Sequence, residues 1–238
     1  MGQKVNPVAF RIGVMEDWKS RWYASKKEFG TLLVEDKQIR DYIKKQKTAD
    51  GHLLYPAIAK IEIERTRDEV RVVLFSARAG LLIGRKGEKV EEMQNALQVL
   101  TGRRIKVAIE EVKQAEVVAQ LVAEDIGDQL IKRVSFRRTM KRAMEQAMNA
   151  GAKGIKIQLS GRLGGAEMAR CEKQATGSIP LSTLRAKIDY GFTEAKIAQG
   201  HIGIQVWINQ GEYSEDDNNG QNAQKSQTSK NPKRSYKR

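Results

Sequence analysis

Two glycines three residues apart, Gly84 and Gly87, enclose Arg85 and Lys86 in the run Ala79-Gly80-Leu81-Leu82-Ile83-Gly84-Arg85-Lys86-Gly87-Glu88-Lys89-Val90. A glycine at each end lets the backbone turn sharply and lets a phosphodiester approach without meeting a Cβ atom. Arg85 and Lys86, with Lys89 just behind them, add positive charge where a helix beginning at this point presents unpaired N–H groups. The chemistry on offer is therefore the holding of an anion. A triphosphate-binding loop would need Gly-Lys-Ser or Gly-Lys-Thr where this chain has Arg85-Lys86-Gly87, and a dinucleotide fingerprint would need a glycine at Leu82. A basic turn without a ligand would use the same glycines, so the flanks have to separate the readings.

Ahead of the turn, Val70, Val72 and Leu74 alternate with Arg71, Val73 and Phe75, the period of a strand buried mainly on one face. Behind it, Val90, Met93, Leu97 and Leu100 recur at three and four, the apolar stripe of a helix that Thr101 and Gly102 end. Ile105, Val107 and Ile109 make a further strand; Ala59, Ile61 and Ile63 make an earlier one, joined to the next by a turn at Thr66, Arg67 and Asp68. A helix is expected from Glu28 to Gln46, with Asp36 and Lys37 as a break or new cap, before a loop through Asp50, Gly51 and Pro56. An Ile-Gly-Arg-Lys-Gly core in this order of elements resembles the RNA-clamping loop of a type II KH domain. In that family the loop holds about four nucleotides by their backbone, and the matching positions are Gly84, Arg85, Lys86, Gly87 and Lys89.

A second concentration of charge lies further on. Val117, Val118, Leu121, Val122, Ile126 and Leu130 form one helical stripe, and Val134, Phe136, Met140, Met144 and Met148 continue into a second helix ending at Asn149, Ala150 and Gly151. At about 100 degrees per residue Arg133, Arg137 and Lys141 share one row, with Arg138 and Arg142 beside it. Most charge runs are solvated faces with mixed signs. From Ile131 to Met144, however, these five cations and Lys132 meet no Asp or Glu. A face so uniformly positive suits the phosphates of a single strand, and the methionines suit core packing.

Strands are then expected at Ile155, Ile157 and Leu159, at Leu184, Ala186, Ile188 and Tyr190 with Arg185 and Lys187 opposite, and at Ile202, Ile204, Val206 and Ile208 with Trp207 on the other face. Between the first two, Ser160-Gly161-Arg162-Leu163-Gly164-Gly165-Ala166-Glu167-Met168-Ala169-Arg170 sets glycines among arginines. That composition suits close approach to phosphate, and a bulged hairpin would use the glycines equally well. At the start of the chain, Lys4, Arg11, Lys19, Arg21, Lys26 and Lys27 are interleaved with Trp18, Trp22 and Tyr23. Such an arm reads either as a loosely packed terminus or as a segment ordered on RNA, with arginine on phosphates and rings on bases; the mixture favours RNA.

Charge agrees with these local signs. The 238 residues carry 43 Lys and Arg against 29 Asp and Glu, a formal +14, and the pI is about 9.8. An excess of this size points to a polyanion, with RNA first. No run of about 18 apolar residues is present for a membrane span, no signal peptide is read, and Asn6 stands where a myristoylation signal wants Ser or Thr. With a single cysteine, Cys171, no intrachain disulfide can form, and the cytoplasm is the expected compartment. His52 and His201 stand in no metal-ligand spacing, and Glu110, Glu111 and Glu116 have no partner histidine. No catalytic residue, metal, cofactor or small-molecule substrate is expected, so the chain is read as a non-enzyme.

Four separated motifs point one way: Met1-Gly2-Gln3-Lys4-Val5-Asn6-Pro7, the Ile83–Glu88 loop, Phe136-Arg137-Arg138-Thr139-Met140-Lys141-Arg142, and the Gly161–Glu167 stretch. Together they resemble the ribosomal protein S3 family of the bacterial small subunit, over about residues 1–213. The resemblance implies a structural protein of the subunit head that binds 16S rRNA and lines the mRNA entrance with S4 and S5, near S10 and S14, its basic helix helping to unwind mRNA. The mRNA group is then Arg133, Arg137, Arg138, Lys141 and Arg142, and the rRNA group Lys4, Asn6, Arg11, Arg162, Gly164, Gly165, Arg170 and Arg185. A free KH-domain RNA chaperone is the other reading. The expected fold is α+β: a basic arm (1–27), a type II KH domain (28–112), a domain of two helices and a four-stranded sheet (113–213), and a tail (214–238) too polar to bury a core and so disordered in isolation.

Overall fold

The computed structural model describes residues 3–45, 57–67, 69–84 and 87–213. Arg85, Lys86, His52, Asp68, the loop through Asp50, Gly51 and Pro56, and the tail from Ser214 lie outside the described residues.

The first half is built on a four-stranded sheet. A short helix α1 (Pro7–Arg11) and strand β1 (Ser20–Arg21) precede α2 (Phe29–Lys45), β2 (Ile58–Arg65), β3 (Glu69–Ser76), α3 (Ala79–Ile83), α4 (Glu88–Thr101) and β4 (Arg104–Glu111). Sheet order follows the chain, β1-β2-β3-β4. β2 and β3 pair antiparallel, as a short turn requires, and β3 pairs parallel with β4 because α3 and α4 carry the chain back across the sheet. Ile39, Ile43, Met93 and Leu97 of the helices bury against Ile61, Val72, Leu74 and Ile105 of the strands. Val73, on the opposite face of β3, is buried as well, so this strand is covered on both sides near its middle.

The second half follows with α5 (Ala119–Ile131), α6 (Phe136–Asn149), β5 (Gly154–Gly161), β6 (Arg170–Gly177), β7 (Ala186–Ile197) and β8 (Gly200–Glu212), in sheet order β6-β5-β8-β7. Its separate core joins Ala123, Ile126, Met140 and Ala147 of the helices to Ile157, Leu159, Ile204 and Val206. The fourth strand, β6, was not located by alternation because its residues are largely exposed and its sequence, Arg-Cys-Glu-Lys-Gln-Ala-Thr-Gly, has no apolar period. α5 lies close on β7: the Ala119 N–H donates to Asp189 at 2.7 Å, and a Cβ on Gly191 would collide with the Ala119 carbonyl.

Two expectations are corrected here. Asp36 neither breaks nor caps α2; it sits buried in the middle of the helix, accepting hydrogen bonds from Arg65, from Trp22 Nε1 at 2.8 Å and from Ser20 at 3.1 Å. A buried carboxylate is tolerated because it is paired and fully hydrogen-bonded. The amino-terminal arm, read as loose or ordered on RNA, is in part ordered on the protein itself, while Trp18 and Tyr23 stay exposed. β1 adds to the first sheet by parallel pairing with β2, and the Trp22 ring packs 5.2 Å from Phe29. α1, at the other end of the arm, sits against β7 of the second half. Tyr213 fastens the same corner, donating to Glu16 at 2.7 Å; burial and the neighbouring carboxylate push its hydroxyl well above the usual tyrosine range.

Candidate nucleic-acid interface

α6 begins where α5 is stopped. Arg133 has a left-handed backbone (φ 61°), and the amides of Arg133 and Val134 close on the Leu130 and Gln129 carbonyls at the end of α5. Ser135 then takes an extended conformation and α6 starts at Phe136. Arg133 is thus in the turn ahead of α6, and the expected helical row is corrected to Arg137 and Lys141, flanked by Arg138 and Arg142. All four are exposed, whereas Thr139, Met140, Ala143 and Ala147 on the other side are buried. Among the described residues the sole carboxylate within 4 Å of these four is Glu145, 3.9 Å from Lys141, with both side chains largely in solvent. An exposed i, i+4 pair of this kind is worth about 0.3–0.5 kcal/mol and leaves the face cationic.

The fold brings a second motif to this helix. β5 and β6 form an antiparallel hairpin whose connection contains a 3-10 turn at Leu163–Gly165. Gly164 and Gly165 hold φ of 68° and 82°, a region in which other residues are strained. Leu163 is buried, and a Cβ on Gly164 would lie 3.8 Å from the Phe136 ring. That ring also lies 5.7 Å from both the Arg137 and Arg170 guanidinium carbons. Two motifs about thirty residues apart therefore meet on Phe136, whose apolar spacing by itself points only to packing. Arg162, in contrast, is bound inward, its guanidinium donating to the carbonyls of Ala166 at 2.8 Å and Gln199 at 3.2 Å. It braces the loop. Between α6 and β6 lies an open groove of about 750 Å³ edged by Arg137 and Lys141 and floored by Met144 and Met148.

The remaining residues fall in two other places. Lys4 is exposed, and Asn6 caps α1 by accepting from the amides of Val8 and Ala9 at 2.9 and 3.4 Å. Arg185 is exposed at the start of β7, 3.8 Å from Glu212. Arg11 is corrected: it is fully buried, and its guanidinium donates to the carbonyls of Ala186 at 2.7 Å, Thr183 at 2.7 Å, Pro7 at 2.8 Å and Leu181 at 3.2 Å. Such an arginine holds the arm to the protein and cannot reach a phosphate without leaving its site.

At the glycine turn, α3 occupies part of what read as loop. Its end is closed by the Gly84 amide on the Gly80 carbonyl, and Gly84 has φ 70° and ψ −168°. A Cβ there would press on the Lys89 side chain at 2.9 Å. Gly87 is left-handed (φ 86°) at the start of α4, and among the described residues nothing lies within 4 Å of where its Cβ would be. A chain can therefore come close to Gly87 without meeting a described side chain. Glu88 and Glu91 already occupy the first turn of α4, so the helix end itself is partly neutralised. Lys89 is exposed beside it.

Comparison with known families gives two matches in chain order. A KH domain model matches residues 38–117, and the model of the ribosomal protein S3 C-terminal domain matches residues 126–208. The Small ribosomal subunit protein uS3 of Rhodopirellula baltica is 66% identical over 238 residues, covering all of both chains. Proteins of the same name from Desulforudis audaxviator and Finegoldia magna are 52% and 49% identical over 212 residues, covering 89% of this chain and 94% and 84% of theirs.

Proposed function

The chain belongs to the small ribosomal subunit protein uS3 family, and on that premise we propose that its α6 face grips incoming mRNA while its other RNA surfaces seat it on rRNA. Membership makes it a structural, RNA-binding constituent of the small subunit of the cytoplasmic bacterial ribosome, acting in translation with rRNA as partner. The finer reading places α6 at the mRNA entrance beside S4 and S5, with S10 and S14 as neighbours in the head. The observation that carries it is the exposed, strongly cationic face of Arg137, Arg138, Lys141 and Arg142, where Glu145 beside Lys141 is the one acid within 4 Å among the described residues. Fixed cations spaced along a helix can hold the phosphates of a separated strand. Held this way, a strand freed by translocation does not re-pair. The motion itself comes from elsewhere in the ribosome, since this chain carries no nucleotide-hydrolysing motif.

The experiment is site-specific crosslinking in translation complexes. An mRNA with a photoreactive base just ahead of the ribosome is expected to attach to the Phe136–Asn149 peptide. Attachment to other proteins alone, with this chain present at full occupancy, rules out the mRNA role.

The glycine turn is proposed as a second, backbone-directed RNA clamp, with Gly84 and Gly87 giving close approach and Arg85, Lys86 and Lys89 the charge. Gly87→Asp puts a side chain and a negative charge into the open space at the left-handed position. RNA crosslinks to this turn are expected to fall severalfold while those on α6 persist; an unaltered yield at the turn contradicts the clamp.

A further inference from the structure

The side of the second sheet turned away from α5 and α6 has no part in either surface above. Strand register sets Tyr190, Trp207, Lys156 and Ala175 side by side across β7, β8, β5 and β6. The next row on that side is Phe192, Gln205, Gln158 and Lys173, and the one after it Glu194, Gly203, Ser160 and Cys171. Residues between these rows, such as Ile157, Ile204 and Val206, point the other way and are buried under the helices. At one end the face is closed, since Ile188 and Asn209 are buried. The rest is open.

Its chemistry differs from that of an ordinary solvated sheet. The rings of Tyr190 and Trp207 lie 5.5 Å apart at 50°, Lys156 Nζ stands 4.9 Å from the indole centroid, and Phe192 is 45% exposed. Three adjacent aromatics on a water-facing side are more than the scattered apolar residues any surface carries. The charges around them are Lys156, Lys173 and, one row further, Lys196, against Glu194 alone. Protein interfaces share the enrichment in Tyr, Trp and Phe but are depleted in lysine. Here the rings are accompanied by two primary amides and an excess of lysine.

We propose that this sheet face is a further RNA surface, holding about two or three unpaired nucleotides stacked on Tyr190, Trp207 and Phe192 with Lys156 and Lys173 on their phosphates. Every base has a flat face to stack, and the amides of Gln205 and Gln158 can donate or accept, so the surface tolerates any sequence. Lys156, now over the indole, moves from the ring to the phosphate as a base arrives. The inference takes from the reading above only that the protein binds RNA, and it is independent of α6.

The test uses the full-length protein and a short single-stranded RNA containing 4-thiouridine. Crosslinks are expected in the β7 and β8 peptides that carry Tyr190 and Trp207. Phe192→Ser with Lys156→Gln, both at solvent-facing positions, is expected to lower their yield about fivefold or more, as the loss of one stacked base implies. Arg137→Ala with Lys141→Ala is expected to leave them unchanged, so the α6 reading and this one fail separately. Absence of β7 and β8 crosslinks, or an unchanged yield in the Phe192 and Lys156 variant, overturns the proposal. So does a photocrosslink from this face to another protein in intact subunits without one to RNA, which would identify a protein as its occupant.

Discussion

Ribosomes carrying Arg137→Ala with Lys141→Ala are expected to translate an unstructured message at the normal rate and to pass through a stable hairpin several-fold more slowly. Both side chains are exposed and alanine favours the helix, so stability should change by no more than about 0.5 kcal/mol and assembly should proceed. What is lost is two fixed charges on the strand path. Each phosphate contact to a single strand contributes about 0.7 to the slope of log affinity against log salt. RNA binding through this face should therefore lose about 1.4 of that slope, and the hairpin defect should narrow as salt rises. Arg137→Lys with Lys141→Arg keeps the charges and should restore most of the read-through. If hairpin transit in the alanine variant matches the parent, α6 is not a strand-holding surface.

Arg11→Met is expected to have the largest effect on the fold. Methionine fills most of the arginine's volume but donates nothing, so the carbonyls of Ala186, Thr183, Leu181 and Pro7 lose a charged partner inside the protein. Hydrogen bonds to charged groups are worth about 1.5–3 kcal/mol each, and a buried acceptor left unmade costs about 1–3 kcal/mol. A loss of about 3 kcal/mol or more follows, which for a chain of this size lowers Tm by roughly 6–12 °C. Limited proteolysis should cut the arm near α1, while the parent protein is cut there slowly. Lys4→Met, at an exposed neighbour, is the control and should leave Tm in place. An unchanged melting curve for Arg11→Met would mean that Tyr213 and the β1 pairing hold the arm without it.

Arg11 also shows where reading residues one at a time stops. In sequence it is one more cation in a basic, aromatic arm, and charge pattern favours RNA for all of them. Apart from the Pro7 carbonyl, its closest acceptors are the backbone carbonyls of Ala186, Leu181 and Thr183, 170 or more residues away, and no local pattern encodes them. Asp36 is the same case with the opposite sign. A carboxylate inside a helical stripe looks like an interruption until Arg65, Trp22 and Ser20 are found around it. Arg133 was misplaced for a more local reason, because 3.6-residue spacing continues through a turn in which one residue is left-handed. Phe136 was placed correctly on the packed side of α6, yet its role in joining Arg137 to Arg170 and the Gly164 turn depends on the hairpin that carries them.

The sequence alone determined the α+β character, the order of α2, β2, β3, α4 and β4 and of α5, α6, β5, β7 and β8, the apolar faces of these helices, and the positions of the basic helix and the glycine turns. These follow from periodicity, glycine placement and charge, all of which act over a few residues. Tertiary structure alone decided which cations remain free for RNA and which are consumed inside the protein, and which separate motifs share a surface. A guanidinium makes the same strong bonds to a buried carbonyl as to a phosphate, and only the packing of distant segments determines which of the two it meets.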